Sequence, residues 1–169
     1  MNVTLHYLFS KNDKIGSKII IYGTKHLETV LDTPSHVAIL VNNRWVFEST
    51  LETGVRRISY KKWLEINTEV AKIECPSERT LEEVLGLFRR IKDKKYDYLG
   101  VTYFGGCIAL NKFFGMKVPK KNRLQSPNKY FCCEVMGELL GLDYQMRAPV
   151  QLMVESSKLI EDFKTQNQP

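Results

Sequence analysis

Residues 36 to 48, HVAILVNNRWVFE, constrain the fold more than any other stretch of this chain. His36–Val41 reads as a buried strand, Arg44–Glu48 as its return, and Asn42-Asn43 as the two-residue turn between them. This predicts an antiparallel β-hairpin. If Val41 faces Arg44, the register sets Val37 opposite Glu48 and brings His36 and Glu48 to the same end of the hairpin, within cross-strand reach. A small bulge would bring the two directly opposite.

Other elements follow from spacing. Residues 2 to 9 are rich in β-formers and read as a short edge strand. Lys14 to Leu27 carries Ile15, Ile19, Tyr22 and His26 near helical spacing, although the run Ile19-Ile20-Ile21 leaves a strand open. Asp32-Thr33-Pro34 breaks the chain. Gly54 marks a turn before a strand from Val55 to Tyr60, and Val70–Ile73 reads as a further strand closed by Pro76. Ser77 is placed to cap a helix starting near Glu78, whose apolar face is Leu81, Val84, Leu85, Phe88 and Ile91. Tyr96-Asp97-Tyr98-Leu99-Gly100 leads into an apolar helical segment ending at Phe114. A polar loop spans Gly115 to Lys129. A second helix, Phe131 to Leu142, is apolar on most faces and therefore central, and Gly141 signals its end. The expectation is one α+β domain over residues 1–169, a small antiparallel sheet packed on that helix, with a flexible tail from about residue 163.

Composition narrows the functional classes. With 43% hydrophobic and 26% charged residues, the 169-residue chain can bury a core without metal or disulfide staples. The net charge of +6 falls short of a dense nucleic-acid footprint. Its densest cluster, Lys117, Lys120, Lys121, Arg123 and Lys129, reads as a solvated loop or as a patch attracting an anionic partner. Cys75, Cys107, Cys132 and Cys133 form no Cys-x-x-Cys pair and only three histidines accompany them, so neither metal nor cofactor is expected. No signal peptide and no stretch of the ~20 apolar residues needed for a membrane span is visible, which points to a reducing cytoplasm and free thiols.

A nucleophilic cysteine needs a positive local field, a base within reach and a group that orients the base. Cys132 and Cys133 stand at the start of the central helix, where free N–H groups and the macrodipole supply the field. His36, opening a buried strand after a chain break, is the natural base, with Glu48 at the matching end of the paired strand. Cys133, Gly137 and Gly141 form a small-residue stripe suited to packing against a sheet. Cys132 is accordingly preferred as nucleophile and Cys133 is the alternative, although Cys132 shares its own row with Met136 and Leu140. Free cysteine is commonly just buried, so Cys75 and Cys107 are read as core. His6 and His26 lack acidic or thiol company.

The order SHVAI, VFESTLETGV, KYDYLG and KYFCCEVMGELL, spread over about residues 5 to 155, resembles the circularly permuted branch of NlpC-type papain-like amidases. That branch contains the YaeF/YiiX-like proteins of bacteria, phages and poxviruses. The resemblance implies a permuted papain-like fold and a hydrolase with a Cys-His-acid triad, in which His36 is the base, Glu48 the orienting residue and Cys132 the nucleophile. It also implies that Tyr96 or Tyr98 supports the oxyanion, the other role open to them being packing at the helix junction. The chain departs from the pattern at Cys133, where the family usually has Ser. Peptide, isopeptide and lipid-ester substrates all stay open. Two rival readings are acyl transfer between lipids, which should show an apolar groove beside Cys132, and a silent binding module with a closed pocket. No specific nucleic acid is expected.

Overall fold

The apolar runs between residues 5 and 75 pair into one five-stranded antiparallel sheet, seen in a computed structural model that describes residues 3–75, 79–142, 144 and 146–166, with side chains as far as 158. Its strands are β1 (Leu5–Lys11), β2 (His36–Val41), β3 (Trp45–Thr50), β4 (Gly54–Ser59) and β5 (Thr68–Cys75), in the order β4-β3-β2-β1-β5. The helices are α1 (Ile15–Thr24), α2 (Tyr60–Leu64), α3 (Leu81–Ile91), α4 (Tyr98–Phe114), α5 (Cys132–Leu140) and α6 (Pro149–Gln166). The fold is α+β, as expected.

β2 lies inside the sheet and is buried on both faces, which explains its unbroken apolar run. Val37, Ile39 and Val41 join Phe47, Phe88, Val135, Met136 and Leu139 in the main core beneath α3 and α5. Ala38 and Leu40 face the other way and pack with Leu8, Val46 and the fully buried Trp63 of α2. α5 is buried along nearly its whole length against β2 and β3, so the central helix of the sequence reading is central here. Gly141 ends it in the left-handed conformation, φ 74°.

Several expectations are corrected. β1 is no edge strand, because β5 pairs along its other side from Leu5↔Cys75 to Lys11↔Thr68. That pairing joins segments far apart in sequence, which local pattern cannot reveal. The hairpin turn holds three residues instead of two. Asn42 and Asn43 both take positive φ, 49° and 52°, and Arg44 N donates to Val41 O, so Val41 pairs with Trp45. The helical option for residues 14–27 holds, yet Ile15, Ile19 and Tyr22 of α1 face solvent instead of a core. α2 and α6 carry no signal read from the sequence. The expected cap Ser77 lies outside the described residues; α3 is capped by Thr80, whose Oγ1 accepts from Glu83 N while Glu83 Oε2 accepts from Thr80 N. α6 continues through Gln166, overlapping the tail expected from about 163, and residues 167–169 lie outside the described residues.

Candidate active site

Register decides how His36 meets Glu48. The ladder Val41↔Trp45, Leu40↔Val46, Ile39↔Phe47 continues by one step to set Glu48 against Ala38. Ala38 shares a strand face with His36, so the third turn residue puts Glu48 and His36 on one side of the sheet as diagonal neighbours. The register expected from a two-residue turn would have put them on opposite sides. Glu48 Oε2 lies 2.8 Å from His36 Nε2.

Glu48 is almost wholly buried and fully engaged. Trp63 Nε1 donates to Oε2 at 3.0 Å, and Arg56 donates to Oε1 through Nε at 2.8 Å and Nη2 at 2.7 Å. Burial alone would raise its pKa, but His36 and Arg56 outweigh it and hold the carboxyl down at about 2. Arg56 and Trp63 did not emerge from sequence reasoning. A signal for Arg56 exists: the turn at 51–53 pairs Thr50 with Gly54, and two steps back Glu48 faces Arg56. Trp63 sits on a five-residue helix and leaves no such trace.

The thiol arrives from the other side of the sheet. β2 begins at His36, whose ring lines the same cleft as Cys132, the first residue of α5, and the two side chains act on each other electrostatically. Glu48 occupies Nε2, which leaves Nδ1 for the thiol. The His36 side chain is 15% exposed. Desolvation opposes its charge, yet the bonds to Cys132 and Glu48 raise its pKa to about 10. Cys132 is pushed the opposite way, well below an ordinary thiol, by the thiol of Cys133, against burial, and then by His36 and the Val37 N–H. Cys133, with no exposed surface, is pushed well up by its burial and by Cys132. The two sulfurs are 3.9 Å apart, a long thiol hydrogen bond and not a disulfide. The two opposed shifts favour a Cys132 thiolate beside a His36 imidazolium.

A set of polar anchors locks the approach to α5. Ser49 Oγ donates to Tyr130 O at 2.6 Å, and Tyr130 N donates to Lys95 O at 3.1 Å. The buried Asp97 accepts from Gly100 N at the start of α4 and from Ser126 N of the long polar loop. At the head of α5, Glu134 Oε2 accepts from Phe131 N, and Glu134 N is the first helical donor to find a carbonyl, Phe131 O. The N–H groups of Cys132 and Cys133 precede that first bond.

Of the two tyrosines, only Tyr96 is brought to the site. It is buried and lines both clefts that reach Cys132. Tyr98 is 55% exposed, and its hydroxyl donates to Leu51 O at 2.6 Å. Gly137 of the small-residue stripe packs on the returning chain and not on the sheet, since an added Cβ would stand 2.4 Å from Leu142 O. Cys75 is buried, Cys107 is half-buried on α4, and neither cysteine lines a cleft at Cys132, nor do His6 and His26. Among the described residues, no group of three or more His, Cys, Asp or Glu is arranged to hold a metal ion, and no helix is long and apolar enough to cross a membrane. Comparison of the chain with protein families, curated proteins and solved structures finds no match.

Proposed function

We propose that this chain is a cysteine hydrolase of the permuted papain-like class, acting on an amide, ester or thioester carbonyl through an acyl-enzyme. One observation carries the reading: Arg56, Glu48 and His36 are linked in turn by ion pairs and hydrogen bonds, and His36 shares a cleft with the Cys132 thiol at a helix start. The Cys132 thiolate attacks the carbonyl carbon, forming the C–S bond and moving the carbonyl electron pair onto oxygen. Free N–H groups of the first turn of α5, with Tyr96 alongside, face that oxyanion. As the tetrahedral species collapses, the bond to the leaving group breaks and the leaving group departs with the proton of His36. Water then attacks the thioester, His36 takes a proton from it, and the C–S bond breaks to release the acid and restore the thiolate–imidazolium pair. Glu48 stays ionised throughout and holds the ring. Such a thiolate belongs in a reducing compartment, the cytoplasm of the cell that makes it.

Brief alkylation with iodoacetamide at mildly acidic pH, followed by peptide mapping, tests the assignment. Cys132 should label under conditions where an ordinary thiol, with its pKa near ~8.5, does not. His36→Ala should lose this acid-side reactivity, Cys133 should label only on unfolding, and Cys132→Ala should abolish turnover of amide, isopeptide and ester substrates. Labelling that survives Cys132→Ser and vanishes in Cys133→Ser transfers the nucleophile to Cys133. Absence of fast labelling at both positions favours a silent binding module.

A further inference from the structure

Cys132 lies where two dissimilar clefts meet. One, of about 510 Å³, is the more polar of the two, lined by His36, Glu48, Arg56, Lys14 and Asn67 as well as by Leu51 and Ile66. The other is a groove of about 530 Å³ between α1 and α4, within the usual size of a ligand site. Its walls are apolar: Ile19 and Gly23 from α1, Gly105, Ile108 and Ala109 from α4, and Phe131 at the base beside Cys132.

We infer that this groove seats the hydrocarbon chain of a long-chain acyl substrate whose carbonyl is presented to Cys132, while the polar cleft receives the leaving group. The inference rests on the cysteine reading above and names its substrate class. The walls are helices whose backbone groups are already bonded internally, so they present no strand edge to a peptide. Ile19 and Phe113 line the groove yet remain 65% and 70% exposed, apolar surface that the described residues leave open. Among the described lining residues the only charged ones are Lys112 and Arg147, both cations, so no carboxylate repels the acid released on hydrolysis. The groove is also kept open by missing side chains, because a Cβ added at Gly23 or Gly105 meets nothing within 4 Å. In the reaction, the Cys132 sulfur takes the acyl carbon from the leaving oxygen, nitrogen or sulfur, His36 protonates that leaving atom, and water later releases a fatty acid.

The test uses the full chain and a plugged variant, Gly23→Leu with Gly105→Leu; leucine is the better helix former at both positions, so the plug should fold. In the Cys132→Ser background a fluorescent dodecanoate analogue should bind saturably, hexadecanoate should displace it, and the plug should weaken binding at least tenfold. Absence of saturable binding, or equal binding by the plugged protein, overturns the groove whatever the state of the cysteine. With an acyl p-nitrophenyl ester series from acetyl to hexadecanoyl, kcat/KM should rise about threefold to fourfold per methylene until the groove is filled. The hexadecanoyl-to-acetyl ratio should fall at least tenfold in the plug. Cys132-dependent turnover without chain-length preference rejects the groove and keeps the nucleophile. Chain binding that the plug abolishes, beside turnover indifferent to Cys132→Ala, supports the groove and rejects the nucleophile.

Discussion

At the scale of single residues, the site works by opposed environments. Glu48 keeps its charge while buried because three donors surround it, and that charge in turn helps raise His36 to about 10. Glu48→Gln preserves shape and most hydrogen bonds but removes the charge, so kcat should fall by about 10²-fold or more while stability drops by about 1–3 kcal/mol. The alkaline limb of the kcat–pH profile, set by loss of the His36 proton near pH 10, should also move down. Equal activity and an unmoved limb would remove Glu48 from the site. His36, Glu48 and Cys132 were legible because His36 and Cys132 open elements with a strong local signature and Glu48 lies on the return strand of the hairpin. Which of two adjacent thiols is favoured as the thiolate was a matter of three-dimensional surroundings, since Cys132 is lowered by the Cys133 thiol, the His36 ring and the Val37 N–H, while Cys133 is raised by its burial.

Among the elements, α5 does the most positioning, and its glycine shows how. Gly137 lets Leu142 and Tyr144 lie close over the helix, where a methyl group would stand 2.4 Å from Leu142 O. Gly137→Ala should therefore destabilise by about 1–3 kcal/mol in spite of alanine's better helix propensity. Gly86 on α3 is the control: an added Cβ there touches nothing within 4 Å, so Gly86→Ala should stabilise by up to about 1 kcal/mol. Urea unfolding of both variants reads the two signs, and two changes of the same sign would discount the close approach. The hairpin was legible as a hairpin, but its register was not. Two asparagines with positive φ look like a whole turn, and only the ladder itself reveals that Arg44 belongs to the turn as well.

Across the whole molecule, buried charge should shape the dependence of stability on pH. Glu134, buried beneath the loop at the head of α5 with its Oε1 unbonded, has its pKa raised to about 8, chiefly by desolvation. A carboxyl raised from 4.5 in the unfolded chain contributes stability that is complete below pH 4.5 and lost as pH climbs to about 8. Relative to Glu134→Gln, the wild type should lose roughly 1.4 kcal/mol for each pH unit inside that window; parallel stability curves would refute it. Glu48 acts on the other side. Held at about 2 when folded against 4.5 when unfolded, it contributes stability above pH 4.5 that disappears as pH falls towards 2. The sequence by itself determined the α+β class, the hairpin, the central helix and the candidate trio, because apolar periodicity, turn residues and helix ends are properties of neighbouring residues. Only the tertiary structure decided that β1 is interior, that Arg56 and Trp63 hold Glu48, that Tyr96 and not Tyr98 lines the clefts at the thiol, and that α1 and α4 flank an open apolar groove. Each of these depends on contacts between segments distant along the chain, whose register and spacing are set by packing summed over the whole core.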